Sequence, residues 1–108
     1  AFEGPPLILR TYGTARVLHE TDADWAKYIE LFPASVASRQ IFILDISIVQ
    51  SSCGMSVPNF AYESDRDALA KWSARQGKEG MQDYWLKKNQ KSINGFDTEI
   101  AKRAGLEK

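Results

Sequence analysis

The sequence has very few of the residues that form covalent cross-links or transition-metal sites. Its 108 residues include one cysteine, Cys53, and one histidine, His19. A single cysteine excludes a disulfide within the chain and a zinc site built from cysteines. A single histidine excludes a histidine-rich metal site. No metal ligand is therefore predicted, and the low cysteine content favours a reducing, cytoplasmic compartment.

Excess charge of one sign and long apolar runs are also missing. Lysine and arginine number 14, as do aspartate and glutamate, so the formal net charge is zero. Nucleic-acid-binding proteins usually carry a basic face, so neither a nucleic-acid partner nor a polybasic membrane surface is expected. No apolar stretch reaches the roughly 20 residues of a membrane helix. No signal-peptide pattern is recognisable from Ala1 onward, so a processed or cut end is expected.

Two segments have the pattern of β-strands. Over residues 7–18, small or apolar side chains alternate with polar ones, as in a half-buried strand. Gly13 within it predicts a bulge or a close approach by another backbone or a ligand. Residues 39–50 form a second, β-branched strand, and residues 59–62 form a weaker one. Because a two-stranded ribbon is marginal in water, further strands are expected from missing sequence or from a second copy.

Amphipathic patterns predict three helices, at residues 22–32, 65–76 and 78–89. Gly77 is expected to end the second of them, and Asn94-Gly95 predicts a turn. The apolar stripes contain three tryptophans that are expected to pack in the core, namely Trp25, Trp72 and Trp85. The predicted fold class is α+β, mainly antiparallel β with peripheral helices, in a single domain or fragment over residues 1–108.

The turn after the second strand, from Ser51 to Pro58, is the main candidate binding site. Small hydroxyl residues and a glycine let backbone N–H groups approach an anion or a flat ring. On the first strand, Arg10 offers a guanidinium for phosphate, as does Arg39 at the start of the second, and Tyr12 offers a ring for stacking. An ordinary strand-to-loop turn with solvated arginines is the alternative.

Cys53 is also a candidate nucleophile, because a thiolate can attack an electrophilic carbon. Its sequence neighbours supply no base, and a cysteine with a structural role is the commoner case. No catalytic residue is therefore assigned.

Ordered segments of the chain resemble one subgroup of the pyridoxamine 5′-phosphate oxidase-like proteins. The most specific are the glycine-containing first strand and the turn Ser52-Cys53-Gly54. The resemblance covers nearly the whole chain and corresponds to the C-terminal half of a split β-barrel. The matching segments are residues 10–17, 31–33, 39–45, 49–54 with Val57-Pro58, 66–69, Trp72 and Asn94-Gly95.

This resemblance implies a six-stranded antiparallel split barrel, usually a homodimer, with flavin mononucleotide (FMN) at the dimer interface. The first half of that fold, with much of its phosphate-binding apparatus, is absent from this chain. The implied function is that of a flavin-dependent oxidoreductase that transfers hydride or electrons to a small-molecule substrate. The alternative is a non-catalytic β module that dimerises without a cofactor. The implied cofactor-binding residues are Gln50, Ser51, Ser52, Cys53, Gly54, Arg10 and Tyr12.

Overall fold

The computed structural model describes residues 1–107. Within them, two strands pair as an antiparallel two-stranded sheet that does not close into a barrel. The fold class is therefore α+β, as predicted. The elements in chain order are β1 (Leu7–Leu18), α1 (Trp25–Ile29), β2 (Ile41–Cys53), α2 (Ala68–Lys88) and α3 (Ile100–Arg103).

The chain divides into two compact units. The first comprises residues 1–16 and 43–65, and the second comprises residues 17–42 together with the chain from residue 66. Both units are built from segments that are distant in sequence. The chain passes between the units within β1, within β2 and between residues 65 and 66.

The first unit contains most of the two paired strands. Large apolar side chains of β2 remain exposed there, with Ile46 at 55%, Ile48 at 60% and Val49 at 61% of their full accessibility. In the described part of the chain, β2 pairs with β1 alone. The apolar side chains that a larger sheet would cover therefore face solvent, and the outer strand edges have no strand partner.

Gly13 lies where the backbones of β1 and β2 come close together. A Cβ atom added at Gly13 would lie 2.0 Å from the carbonyl oxygen of Asp45. Because Gly13 is not among the glycines with positive φ, the requirement for glycine is steric rather than conformational. The predicted close approach by another backbone is therefore confirmed.

Residues 59–62 form no strand, which corrects the sequence-based expectation. This segment lies against the start of the chain instead. The N–H of Phe60 donates to the carbonyl oxygen of Phe2 at 3.1 Å, and the two rings meet edge to face with centroids 5.4 Å apart. The N–H of Tyr62 donates to Oε1 of Glu3 at 3.3 Å. The N–H of Tyr62 is therefore bonded to a side chain and not to the backbone carbonyl of a neighbouring strand.

In the second unit, α1 covers five residues, whereas a helix was predicted at residues 22–32. Before the helix, Oδ2 of Asp22 accepts the N–H of His19 at 2.7 Å, so this carboxylate holds a turn and caps no helix. After Ile29, backbone N–H groups donate to carbonyls three residues back instead of four, which is the tighter 3₁₀ pattern. Turns therefore replace both predicted ends.

The helix α2 consists of two arms that meet at Gly77, where φ is 67° and ψ is −178°. The rings of Trp72 and Tyr84, one on each arm, contact edge to face with centroids 5.2 Å apart. Twelve residues of continuous helix would separate them by about 18 Å, so the chain bends sharply at Gly77. This agrees with the helix end predicted there, although the first arm begins at Ala68 instead of residue 65.

The core of the second unit is formed by Met81, Trp85 and Ile100, which are all buried. Trp72 packs against this cluster and is half-buried, as is Trp25 on α1. Core packing is thus observed most clearly for Trp85, which retains 6% of its accessibility. The other partly buried residues against the cluster are Ala37, Ala104 and Leu106.

Arg103 connects the first residues of the second unit with α3. Its Nη2 donates to the carbonyl oxygen of Val17 at 2.9 Å and lies 3.5 Å from Oδ2 of Asp22. The hydroxyl of Thr21 donates to the carbonyl oxygen of Arg103 at 2.6 Å.

The buried His19 has an Nδ1 without a partner among residues 1–107. Burial, followed by the positive charge of Arg103, lowers the pKa of His19 below its usual 6.5, which favours the neutral imidazole.

Candidate functional site

The predicted cofactor-binding residues lie in the first unit, on β1 and at the end of β2. The structure extends β2 to Cys53, whereas the strand was predicted to end at Gln50. Ser51, Ser52 and Cys53 are therefore strand residues, and the turn begins at Gly54. Because side chains alternate along a strand, Gln50 and Ser52 share one face while Ser51 and Cys53 share the other.

Four of these residues form a polar row on one face of the ribbon. Nη1 of Arg10 donates to Oγ of Ser52 at 2.6 Å. The hydroxyl of Tyr12 lies 3.4 Å from Oε1 of Gln50, to which it donates. Contacts between 10 and 52 and between 12 and 50 run in opposite directions along the strands, as antiparallel pairing requires. The structure thus brings together Arg10, Tyr12, Gln50 and Ser52, a set we call the polar row.

The polar row is rich in hydrogen-bond donors. Oε1 of Gln50 accepts from Tyr12, so its Nε2 amide remains a donor. The guanidinium of Arg10 carries further N–H groups besides the one directed at Ser52. Ser52, which accepts from Arg10, keeps its own hydroxyl proton to donate. An electron-rich partner, such as a phosphate or the polar edge of a ring, suits this arrangement.

The turn after the polar row is held by backbone contacts around Gly54. This glycine is buried, and an added Cβ would lie 2.9 Å from the backbone nitrogen of Leu7. The N–H of Val57 donates to its carbonyl oxygen at 2.8 Å. Gly54 therefore fixes the path of the chain against β1 and presents no side chain to a ligand.

Cys53 is exposed, and its sulfur accepts the N–H of Met55 at 3.4 Å. That contact supplies no proton acceptor, so it gives no support to the thiol-based hypothesis.

Across the described residues, no group of three or more histidine, cysteine, aspartate or glutamate side chains is arranged to hold a metal ion. None of the helices there combines the length and apolar character needed to cross a bilayer.

The sequence interpretation missed a polar cluster in the second unit. Arg39 was a candidate for phosphate binding, but Asn89, Lys91 and Thr98, which lie beside it, were not considered. The available signal was the predicted turn at Asn94-Gly95, because a tight turn brings the residues on its two sides together. Lys91 and Asp97 indeed form an isolated antiparallel bridge across that turn.

Comparison with known proteins gives one informative similarity. Over 60 residues, 54% of its length, the chain is 37% identical to a protein from Aspergillus flavus described as pyridoxamine 5′-phosphate oxidase family protein ustO, of which the match covers 24%. No family model matches the chain, and no solved structure matches it. The chain thus spans about a quarter of this curated relative. Over about half of its length, the chain is therefore similar to a protein of the pyridoxamine 5′-phosphate oxidase family.

Proposed function

We propose that the chain is part of a flavin-binding oxidoreductase of the pyridoxamine 5′-phosphate oxidase-like type, with FMN as its cofactor. The observation that carries this proposal is the polar row, in which residues from two strands present donors on one face. The similarity to the A. flavus protein supports the same family. The residues present fit an anionic, planar cofactor, since the row combines a guanidinium, amide and hydroxyl donors and an aromatic ring.

Within this proposal, each residue of the polar row has a distinct part. Arg10 holds an anionic group, because a guanidinium pairs with phosphate through two parallel hydrogen bonds. The Nε2 amide of Gln50 and the hydroxyl of Ser52 donate to the polar edge of the flavin ring. Tyr12, which is 48% exposed, offers its ring face for stacking. Ser51 and Cys53 line the opposite face of the strand, and Gly54 shapes the turn.

The flavin, when bound, supplies the hydride or electron transfer, and the protein contributes binding, orientation and electrostatics. A donor beside the ring favours added negative charge there, so Gln50 would stabilise the reduced form. No side chain of this chain is assigned a catalytic role. A split barrel, a homodimer and a cytoplasmic location complete the proposal, with the remaining barrel strands supplied by a second copy or by sequence outside this chain.

Titration of the purified chain with FMN, followed by flavin fluorescence, tests the cofactor assignment. We expect saturable quenching, and Arg10→Met should weaken binding about tenfold or more, because a hydrogen bond to a charged group contributes about 1.5–3 kcal/mol. Riboflavin, which lacks the phosphate, should bind equally well to both chains if Arg10 holds the phosphate. Arg75→Met, an exposed arginine on α2, is the control. Absence of quenching by a folded chain, or equal affinity of all variants, contradicts the proposal.

The exposed ribbon favours a second candidate, a β module that dimerises without a cofactor. Leu9 is 62% exposed, and Ile46, Ile48 and Val49 are each more than half exposed. A stable interface buries more than about 1,000 Å² with an apolar centre. Because side chains alternate along a strand, Ile46 and Ile48 share one face, and they would form such a centre.

Sedimentation velocity tests the dimer. We expect a dimer at micromolar concentrations, and Ile48→Lys should shift it to a monomer, because an unpaired charge would then be buried at the interface. Ala74→Lys, at an exposed position on α2, controls for the added charge. A native chain that sediments as a monomer with its β signal intact would remove this candidate.

A further inference from the structure

We infer that the second unit contains a binding site for a small oxyanion, namely the phosphate or carboxylate end of a small molecule. The site is a cavity of about 220 Å³ beside Asn89, the residue that follows α2. Segments distant in sequence line it, and its main residues are Arg39, Gln40, Asn89, Lys91, Thr98 and the buried Ile100. This inference is independent of flavin binding, because none of these residues belongs to the polar row.

The side-chain amide oxygens of Gln40 and Asn89 already accept hydrogen bonds within the cavity. Nε of Arg39 donates to Oε1 of Gln40 at 3.0 Å, and its Nη1 donates to Oδ1 of Asn89 at 2.7 Å. Both amides therefore direct their oxygens at the guanidinium and keep their NH₂ groups as donors. The guanidinium of Arg39 carries further N–H groups besides the two used in these bonds. The groups that remain for a ligand are donors, which selects an anion over a cation.

Lys91 adds a second positive charge. Its Nζ lies 3.2 Å from Oδ2 of Asp97, and both side chains are 64% exposed. An exposed pair of this kind is weak, so the ammonium can exchange or share this partner with a ligand. The N–H of Glu99 donates to Asp97 Oδ1 at 2.8 Å, and this bond, followed by Lys91, lowers the pKa of the Asp97 carboxyl. Asp97 is therefore ionised near neutral pH and competes with an anion for Lys91.

The C-terminal end of a helix normally carries partial negative charge, which disfavours an anion. Here some carbonyls at and just beyond the end of α2 already accept hydrogen bonds. Nε2 of Gln90 donates to the carbonyl oxygen of Leu86 at 2.8 Å. Thr98 donates through its N–H to the Gln90 carbonyl oxygen at 3.0 Å and through its hydroxyl to the Asn89 carbonyl oxygen. These bonds reduce the opposing effect of the helix end.

The loop that carries Lys91 is held in place by its own hydrogen bonds. The N–H of Ser92 donates to the carbonyl oxygen of Phe96 at 2.8 Å, and the N–H of Phe96 donates back to Oγ of Ser92 at 3.0 Å. Gly95, with φ of 85°, allows the turn between them. The donors are thus positioned before a ligand arrives, which lowers the entropy lost on binding.

Inorganic phosphate and, separately, succinate are the probes, followed by NMR of the side-chain NH₂ signals of Asn89 and Gln40. We expect saturable shifts of both signals with at least one probe, weakened by added sodium chloride. Stronger binding of phosphate would identify the ligand class as phosphate esters, and stronger binding of succinate would identify carboxylic acids. If neither probe shifts these signals up to about 10 mM, a weak affinity by the usual scale, the inference is overturned.

Two variants break the same ion pair with opposite consequences for an anion. Lys91→Gln removes a positive charge and should weaken binding about tenfold, while Asp97→Asn removes the competing carboxylate and should bind at least as tightly as the native chain. Lys87→Gln, a nearby exposed lysine that does not line the cavity, should match the native affinity. Native affinity of Lys91→Gln, or weaker binding by Asp97→Asn, would overturn the inference, because a site that requires the intact ion pair is not an anion site.

Discussion

Replacing Gly13 by alanine should destabilise the ribbon by about 3 kcal/mol, at the upper end of what overpacking causes. The added methyl group would lie 2.0 Å from the carbonyl oxygen of Asp45. Since that atom belongs to the backbone of the paired strand, no side-chain rotation can relieve the contact. The strands must move apart, and their cross-strand hydrogen bonds must lengthen. Urea unfolding followed by far-ultraviolet circular dichroism, with amide hydrogen exchange in β1 and β2, measures the effect.

Gly80→Ala is the matched control for this prediction, because it adds the same methyl group elsewhere. There the new Cβ would lie 3.2 Å from the Cβ of Gln76 and would otherwise meet only that flexible side chain. Alanine also has the higher helix propensity, so the net change should stay within about 1 kcal/mol. If Gly13→Ala keeps native exchange protection in both strands, the close backbone approach is wrong.

Replacing Trp85 by alanine should remove about 3–5 kcal/mol from the free energy of unfolding, as for other large-to-alanine changes in cores. Trp85 is 6% exposed and packs with Met81 and Ile100 in the cluster that joins α2 to α3. Small domains are stable by only about 5–15 kcal/mol, so this loss would remove a large fraction of the total stability and lower the urea midpoint clearly. Urea titration of the circular dichroism signal measures this loss.

Trp85→Phe keeps most of the apolar volume, so it should remain folded with a smaller loss of stability. The control is Phe96→Ala, because Phe96 is an aromatic residue of the same unit but is 70% exposed. Its replacement should change stability by less than about 0.5 kcal/mol. Equal effects of the two alanine variants would show that Trp85 is not part of the core.

Local signals in the sequence were sufficient to predict the structure where a short pattern or a single residue determines the backbone conformation. The alternating pattern predicted the bounds of β1, Gly77 marked the kink in α2, and Gly13 marked a close approach. The ends of α1 and β2 were not predictable in this way. They depend on hydrogen bonds made by Asp22 to His19 and on pairing with β1, and neither can be read from the local pattern.

The candidate sites were likewise predictable from the sequence only in part. Alternation predicts that Arg10 and Tyr12 share a face, and likewise Gln50 and Ser52. Which of them meet across the ribbon depends on strand register, which contacts between distant residues determine. The cavity around Arg39 was even harder to predict from the sequence, because its residues come from separate segments of the chain.

The contacts of Arg103 have a consequence for biosynthesis. Val17 and Thr21 are made early, yet the groups that hold them belong to Arg103, close to the end of this chain. Ile100, a core residue of the same unit, is also made late. On a ribosome, therefore, this unit cannot close while α3 is still inside the exit tunnel. Its first residues lack these contacts until translation has passed Arg103, so this unit can complete its assembly only after α3 emerges.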